Sequence, residues 1–252
     1  DSKNPFDTAV SGCCSIYYWM MDRFYNGGKN GLGLSAMING TGFMVADSTL
    51  KRLGGWCTGT ISEDMEMTVL CALADVKVHW VPLARTFDEQ PLTLAQSNCQ
   101  RRRWTSGTFQ VAQAYLPRVG QGLALRPALP LADLGITLLL PAYQIAMLMN
   151  MTVGALSAFF GGSTIQEGMG RLLAYGGSSL AFTALVTTLS VVLVLTVEGK
   201  WDRRLWKAVG VYWLFLLTWL PITAASLVKG TTRWEQIRHT RSIRAEAVLV
   251  KK

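Results

Sequence analysis

Apolar residues are spread unevenly along this chain of 252 residues, and their pattern divides it into two regions. Residues 1–125 mix short apolar stretches with most of the acidic side chains. The region that follows contains three long apolar runs, at about 134–160, 172–197 and 208–228. Each run exceeds the roughly 20 residues that a helix needs to cross the hydrocarbon core of a bilayer. The pattern therefore predicts a folded segment followed by about three transmembrane helices.

Short strands that alternate with helices are predicted within the first region. MINGTGFMVA, at 37–46, has the pattern of a buried strand, and VKVHWV, at 76–81, alternates like a strand before Pro82 ends it. Helices are predicted at about 6–25, 48–53 and 62–74, and from about Thr93 onward. Alternation of strands and helices is typical of an α/β layer. The predicted fold class is therefore a partial α/β domain followed by an α-helical transmembrane region.

The chain carries a net charge of +8, and its basic residues are grouped beside the apolar runs. Basic groups that flank apolar segments favour anionic lipid of the inner leaflet over nucleic acid. The sequence contains no RNA-binding fingerprint and no basic recognition helix, so no nucleic-acid partner is expected. The five cysteines are odd in number and lack the spacing of zinc ligands, which favours small buried thiols in a reducing cytosol.

The positions of the basic residues conflict with three full crossings. If residues 1–125 are cytoplasmic, three crossings place the tail after Val228 on the outside. The tail and the loop at 200–207 are both rich in Lys and Arg. The positive-inside tendency favours the cytoplasmic side for both of these segments. One apolar run is therefore either re-entrant or does not cross, and the sequence leaves open which one it is.

An acidic group, Ser62-Glu63-Asp64 in GTISEDMEMT, begins one of the predicted helices. A carboxylate at the start of a helix could take the proton of an attacking hydroxyl, so Asp64 and its neighbour Glu63 are the candidate catalytic residues. The other interpretation is structural, because proteins commonly place acids in the first turn of a helix, where they stabilise it.

A basic aromatic group, QRRRW, follows about 36 residues later. A guanidinium fork matches phosphate oxygens, so Gln100 and Arg103 are candidates to bind a pyrophosphate. Trp104 offers a flat apolar face to a sugar ring. The alternative is a solvated basic helix face beside anionic lipid.

Three small residues, Gly40-Thr41-Gly42, interrupt the first predicted strand. Glycines at such a position allow a ligand or another backbone to come close, so these three residues are candidates to line an acceptor pocket. A tight turn or bulge is the structural alternative.

In this order, the motifs resemble those of the membrane-bound family 2 glycosyltransferases, which include the cellulose, chitin, hyaluronan and poly-N-acetylglucosamine synthases. NGTGFMV is followed by SED, then by DEQP, then by QRRRW and the apolar runs. SED matches the family's TED-type motif with Ser62 in place of Thr, and QRRRW matches its Q-x-x-R-W motif. The resemblance covers about residues 36–110, and it continues beyond them mainly as a membrane pattern.

The resemblance implies a role for each matched residue. Asp64 would be the catalytic base, Gln100 and Arg103 would bind the diphosphate of a nucleotide-sugar donor, and Trp104 would stack near the acceptor sugar. The resemblance also implies a GT-A-type fold for the folded segment, a saccharide or lipid-linked acceptor, and a bilayer as partner.

Part of the basic tail resembles a further element, W-x-x-T-x-H/R, of some relatives. Trp234, Arg238 and His239 match it, whereas Ile237 replaces the usual Thr. The resemblance implies that these residues close over the nucleotide, provided that the tail is cytoplasmic.

One departure from the family pattern concerns the donor. The family's uridine-binding Asp and metal-binding D-x-D lie ahead of the matched portion, and this sequence contains no D-x-D. Mg²⁺ or Mn²⁺ is therefore expected in the full-length enzyme, with ligands that this chain does not supply. We expect the chain to be a fragment of a longer enzyme, or to depend on a second chain, and to be inactive alone.

The predicted function is inverting transfer of a sugar, from a UDP-linked donor, at the plasma membrane with the catalytic portion in the cytoplasm. The predicted parts are a glycosyltransferase segment at 1–118, transmembrane helices at 119–228 and a basic tail at 229–252. The alternative is a non-catalytic membrane subunit that binds or scaffolds a glycan-synthesis complex. A transporter is disfavoured because the apolar runs lack buried charges of the kind that mark ion paths.

Overall fold

The computed structural model describes residues 1–231, and 71% of these residues are helical. The helices are α1 (Ala9–Met20), α2 (Gly27–Gly31), α3 (Asp47–Leu53), α4 (Glu63–Leu73), α5 (Leu94–Leu125), α6 (Leu129–Phe160), α7 (Ile165–Val197), α8 (Trp206–Leu217) and α9 (Trp219–Val228). A π-helical segment, Met21–Asn26, joins α1 to α2, and a 3₁₀ turn, Arg203–Leu205, leads into α8.

The predicted α/β layer is wrong, and so is the GT-A-type fold that the resemblance implied, because residues 1–231 form no strand and no sheet. The two predicted strands have no regular secondary structure, and one backbone hydrogen bond links their neighbourhoods within the described residues, from Ala36 N, just before the first of them, to Val78 O at 2.9 Å. Side chains take the place of further strand partners; the N–H of Ile38, for example, donates to Thr68 Oγ1 at 3.0 Å. A sheet needs a row of backbone partners, and side-chain bonds of this kind satisfy the backbone without one.

Two of the predicted helices begin with reciprocal capping bonds. Thr8 Oγ1 accepts from the N–H of Ser11 at 3.0 Å at the start of α1. Thr93 Oγ1 accepts from the N–H of Gln96 at 3.3 Å at the start of α5, where the sequence predicted a helix. In both motifs the third helical residue bonds back to the cap, so each motif satisfies two N–H groups that the helix itself leaves without partners.

Two apolar clusters lie between the N-terminal helices and the long apolar helices. One lies between α1, the end of α7 and α8. Its buried members include Ile16, Trp19, Val191, Val194, Tyr212 and Phe215. The other lies between α4, α5 and the start of α6. Its buried members are Val69, Val111, Val119, Leu134 and Leu138. A third cluster, around Met67, packs the extended segments onto α4.

Three helical segments of the described chain are long and apolar enough to cross a membrane. They are α6, α7 and the segment Arg203–Val228, which contains α8 and α9. The prediction of three such segments is therefore confirmed by length and composition. The third segment differs from the first two because its helix is interrupted at Thr218.

Candidate functional site

The acidic group lies at the start of α4, as the sequence predicted. Ser62 occupies the N-cap position, but its side chain makes no capping bond. Glu63 is exposed and Asp64 is half-buried. A Cβ on Gly40 would lie 3.5 Å from Asp64 Oδ2 and 3.9 Å from Glu63 Oε1, so the glycine passes close to both carboxylates. The structure therefore brings the first predicted pocket residue together with the two candidate catalytic acids.

The electrostatic environment of Asp64 favours a basic carboxylate. Burial raises the pKa of Asp64 above its usual value, and the negative charge of Glu63 raises it further. Backbone hydrogen bonds oppose this shift, among them the N–H of Met65, which donates to Asp64 Oδ1 at 2.8 Å. A raised pKa makes a carboxylate a better proton acceptor, which is the property that a general base needs.

Helix α5 approaches the start of α4 very closely. A Cβ on Gly107 would lie 2.6 Å from Ser62 Cβ and would overlap Ser62 Oγ, so this contact requires a residue without a side chain. One turn later, Gln110 Oε1 accepts from the N–H of Ile61 at 3.2 Å. Both contacts fix α5 against the segment that immediately precedes the two acids.

The close contact determines which face of α5 points toward the acids. Gln100, Arg103, Gly107 and Gln110 are spaced by three and four residues, so they share one face of the helix. The last two of these residues contact 61–62, and the first two lie on the same face of α5, one to two turns earlier along the helix. Gln100 and Arg103 are both half-buried there.

The other two arginines of QRRRW point elsewhere. Arg101 is 1% exposed, and its Nη1 donates to the Phe215 carbonyl at 3.1 Å. Its guanidinium also lies over the Phe215 ring, at 4.2 Å from the centroid. Arg102 Nη2 donates to the Lys229 carbonyl at 2.7 Å. The basic run is therefore not a single charged patch, and only Arg103 shares the face of Gln100.

Trp104 lies within a group of four half-buried aromatic rings. It stacks on Tyr17 at 6.1 Å and on Trp219 at 6.3 Å, and it meets Tyr18 edge to face at 6.0 Å between centroids. The sequence predicted a ring that stacks near a sugar. The structure shows that three other aromatic rings already contact Trp104.

Tyr18 connects this aromatic group to the acids. Burial raises the pKa of the Tyr18 phenol, and neighbouring groups, including the carboxylates of Asp88 and Asp64, raise it further. Tyr18 therefore contacts Trp104 through its ring, and the charges of both carboxylates act on its phenol. Sequence analysis did not single out Tyr18, because the aromatic helix that contains it has no motif of its own.

The remaining predicted pocket residues contact the DEQP loop. Thr41 Oγ1 donates to Asp88 Oδ2 at 2.8 Å. Gly42 has a positive φ of 70°, and a Cβ there would lie 2.5 Å from Thr86 Cγ2. Thr41 and Gly42 are both exposed. The segment therefore forms a surface turn that contacts residues 86–88.

Glu66 is a buried carboxylate, not among the predicted site residues, that connects the segments around the candidate site. Glu66 Oε2 accepts from the N–H groups of Gly59 and Thr60 at 2.9 and 2.8 Å, and its Oε1 accepts from the Tyr115 hydroxyl at 2.7 Å. Burial alone would raise the pKa of Glu66, but these hydrogen bonds outweigh burial and lower it. Glu66 thus joins the loop before α4, α4 itself and α5.

Trp234, Arg238 and His239 lie outside the described residues. The last described residue, Thr231, is held against α5. Its N–H donates to Ser106 Oγ at 3.1 Å, and its carbonyl accepts from Gln110 Nε2 at 3.1 Å.

The sequence of the chain matches a known family over most of its length. The model of glycosyl transferase family group 2 covers residues 15–228. The chain belongs to this family. The match includes both halves of the site, the acids of α4 and the QRRRW face of α5.

A more specific similarity links this family 2 glycosyltransferase chain to one bacterial relative. The probable glycosyltransferase YdaM of Bacillus subtilis (strain 168) is 32% identical over 81 residues. These residues are 32% of this chain, and the chain spans only 19% of the length of the relative. No solved structure gives a significant match to the chain.

The divalent cation implied by the family resemblance has no evident ligands in the described part of this glycosyltransferase. Within residues 1–231, no group of three or more His, Cys, Asp and Glu side chains could hold a metal ion. The described residues do not by themselves offer a site that fits such an ion.

Proposed function

We propose that this chain supplies the catalytic base and the diphosphate-binding residues of a membrane glycosyltransferase. The enzyme would transfer a sugar from a nucleotide-sugar donor, UDP-linked in our proposal, to a saccharide or lipid-linked acceptor. The observation that carries the proposal is the close contact of α5 with the start of α4. Gly107 packs on Ser62, two residues before Asp64, and Gln100 and Arg103 share the face of α5 that carries Gly107, which supports their pairing in one site.

The proposed reaction is a single displacement with inversion at the anomeric carbon. The acceptor hydroxyl gives its proton to the Asp64 carboxylate as its oxygen attacks the anomeric carbon. The bond between that carbon and the donor diphosphate breaks, and the electron pair leaves with the nucleoside diphosphate. Arg103 and Gln100 stabilise the negative charge that develops on the leaving oxygen. The raised pKa of Asp64 supports the first step.

Two neighbouring groups complete the proposed site. Glu63 keeps Asp64 basic through its negative charge. The aromatic group around Trp104 offers an edge near which an acceptor sugar ring can bind, and Tyr18 joins that group to the acids. Gly40 lies beside both carboxylates, since a Cβ there would be in van der Waals contact with Asp64 and Glu63. In the full-length enzyme we expect Mg²⁺ or Mn²⁺, held by residues that this chain does not contribute.

The proposed setting is a bilayer, with the site on its cytoplasmic face at the plasma membrane. Three helical segments suited to crossing a membrane support this setting. The basic loop between α7 and α8 supports the cytoplasmic side, since Lys and Arg favour that side of a membrane.

Replacing the proposed base tests the function directly. Asp64→Asn, made in the full-length protein, should slow sugar transfer by about 10²–10⁴-fold while donor binding persists, because the amide cannot accept the proton. The measurement is transfer from a panel of radiolabelled UDP-sugars in purified membranes, alongside donor binding by filtration. Asp47→Asn is the matched control, since Asp47 is an exposed carboxylate at the start of another helix. A near-normal rate for Asp64→Asn would reject the assignment.

A further inference from the structure

The third apolar segment touches the N-terminal helices at its start, its middle and its end. At the start, the Cys13 thiol of α1 donates to the Ala208 carbonyl at 3.6 Å. In the middle, Arg101 of α5 donates to the Phe215 carbonyl. At the end, Arg102 of α5 donates to the Lys229 carbonyl. If α1 and α5 lie on one side of the bilayer, a third segment that crossed it would have one end on the opposite side, out of reach of both helices.

We propose that α8 and α9 form a bent segment embedded in one leaflet of the bilayer, so that only α6 and α7 cross. The lipid of that leaflet is the partner of the outer face of this segment. The chain after Val228 then lies on the same side of the membrane as α1 and α5.

The position on α6 that α9 contacts indicates how far α9 extends into the bilayer. The Thr223 hydroxyl donates to Gln144 Oε1 at 2.6 Å. The ion pair of Asp133 with Lys29, at 2.7 Å, ties the first turns of α6 to the N-terminal side. Gln144 lies about 16 Å along the helix from Asp133, at ~1.5 Å per residue. This distance is about half of the roughly 30 Å hydrocarbon core, which is the depth of one leaflet.

The contacts of α8 with α7 are also confined to one end of that helix. Helix α8 packs on Val191, Val194 and Leu195, which lie in the last two turns of α7. Between Pro141 on α6 and Val191 on α7, Gly168 is the only buried residue of these two helices within the described chain. The far part of the α6–α7 hairpin therefore extends beyond the reach of α8 and α9, as a crossing pair must.

The charge of Arg101 excludes a deep position for the middle of the third segment. Phe215 lies at the centre of Arg203–Val228, so a crossing would bring the bonded guanidinium to the middle of the bilayer. A charged side chain there is expensive, and no carboxylate in the described residues is paired with Arg101. If α8 and α9 stay within one leaflet, the Arg101 guanidinium does not reach the middle of the bilayer and stays close to the depth of Gln100 and Arg103.

The aromatic and basic residues of Arg203–Val228 also favour a position at the membrane–water interface. Trp206, Trp213 and Trp219 are distributed through the segment, whereas a crossing helix concentrates tryptophan at its two ends. The exposed apolar side chains of the segment include Trp206, Leu214, Leu227 and Val228. Arg203 and Arg204 precede this apolar face and Lys229 follows it, where they can reach anionic headgroups.

The proposal removes the charge conflict of a three-crossing topology. With two crossings, the basic loop at 200–207 and the basic tail share a side with the glycosyltransferase helices. The interruption at Thr218, followed by Pro221, gives the segment the bend that it needs to return. The loop at 161–164, between α6 and α7, is then the part of residues 126–231 that lies on the opposite side.

Thiol labelling in intact cells tests this topology. Cys57 is exposed on the N-terminal side and serves as the internal reference. Two further thiols are introduced one at a time into the full chain, by Ser163→Cys and by a cysteine added after Lys252. A membrane-impermeant maleimide is applied to intact and to permeabilised cells, and each modified peptide is quantified by mass spectrometry.

The expected result is that the added C-terminal thiol and Cys57 are labelled under the same condition, and that Ser163→Cys is labelled under the other. Labelling of the C-terminal thiol together with Ser163→Cys, and apart from Cys57, would overturn the proposal. Labelling of all three thiols together would overturn it as well, because α6 and α7 would then not cross. The thiol added after Lys252 replaces no residue, and Ser163 is exposed and bonds to Glu167 through its backbone N–H, so the fold should tolerate both changes.

Discussion

At the scale of single residues, three neighbouring arginines lie on three different faces of α5. Arg101 is enclosed between α5 and α8, Arg102 holds the end of α9, and Arg103 shares its helix face with Gln100. Successive residues of a helix are separated by about 100° of rotation, so three of them necessarily face three directions. The motif therefore combines structural contacts with the proposed binding function, and its sequence does not separate the two.

Substitutions of Arg101 and Arg103 should separate these functions. Arg101→Ala should lower the free energy of unfolding by about 2–4 kcal/mol, because it leaves a cavity where a fully buried side chain packs on Phe215. Arg103→Ala should instead reduce kcat/KM by about 10²–10³-fold, as expected for loss of one charge-stabilising donor. Thermal unfolding in nanodiscs and transfer kinetics measure the two effects. Arg101→Ala with unchanged stability would contradict the structural assignment.

A pH dependence follows from the neighbouring acids. A base works only when ionised, so transfer should be lost as pH falls through the pKa of Asp64. Glu63 raises this pKa. Glu63→Gln should therefore lower it and move the acidic limb of the kcat/KM profile to lower pH. Glu63→Asp, which keeps the charge, should leave the limb close to that of the wild type. Movement of the limb to higher pH in Glu63→Gln would rule out the proposed coupling.

At the scale of helices, the site depends on how α5 packs against the start of α4. Gly107 permits the close contact, and Glu66 and Gln110 add hydrogen bonds on either side of it. None of these three residues belongs to a motif that the sequence analysis used. The separation of the acids from QRRRW is thus fixed by residues outside both motifs.

Two glycines on the same helix test this dependence. Gly107→Ala should lower the free energy of unfolding by about 1–3 kcal/mol, because its Cβ would overlap Ser62 and overpacking is costly. It should also reduce transfer, since it pushes the acids away from Arg103. Gly120→Ala is the matched control, since a Cβ there meets open space. That change should stabilise α5 by up to about 1 kcal/mol and leave transfer unaffected. Equal effects of the two changes would contradict the role of the contact.

The sequence predicted helices well and the fold class wrongly, for a physical reason. The start of α5 was predictable because Thr93 and Gln96 form a local capping pair. The segments at 37–46 and 76–81 have the periodicity of strands. This periodicity shows which side chains share a face, but it does not show which groups will accept and donate the backbone hydrogen bonds. In the structure Ile38 bonds to Thr68 of α4 instead of to a neighbouring strand. The contact of Gly107 with Ser62 was not predictable either, since it depends on the packing of distant segments.

At the scale of the whole molecule, the N-terminal helices α1, α4 and α5 share apolar clusters with the apolar helices α6, α7 and α8. Ile16 and Trp19 of α1 pack with Val194 of α7 and Tyr212 of α8. Val111 and Val119 of α5 pack with Leu134 and Leu138 of α6. Burial of each apolar side chain contributes about 1.5–3 kcal/mol, so both parts depend on these contacts for much of their stability. The candidate site on α4 and α5 is thereby coupled to the position of the apolar helices.

Separating the two parts should therefore disrupt both of them. A chain that ends at Leu125 exposes the α1 and α5 halves of two clusters, and we expect it to aggregate and to unfold without a cooperative transition. Co-expression with residues 126–252 should restore a stable complex, because the shared contacts are non-covalent. Size-exclusion chromatography and hydrogen exchange at α4 and α5 measure both outcomes. A monomeric 1–125 chain with a sharp unfolding transition would show instead that the glycosyltransferase helices fold independently of the bilayer, and that the shared clusters are docking contacts between two stable units.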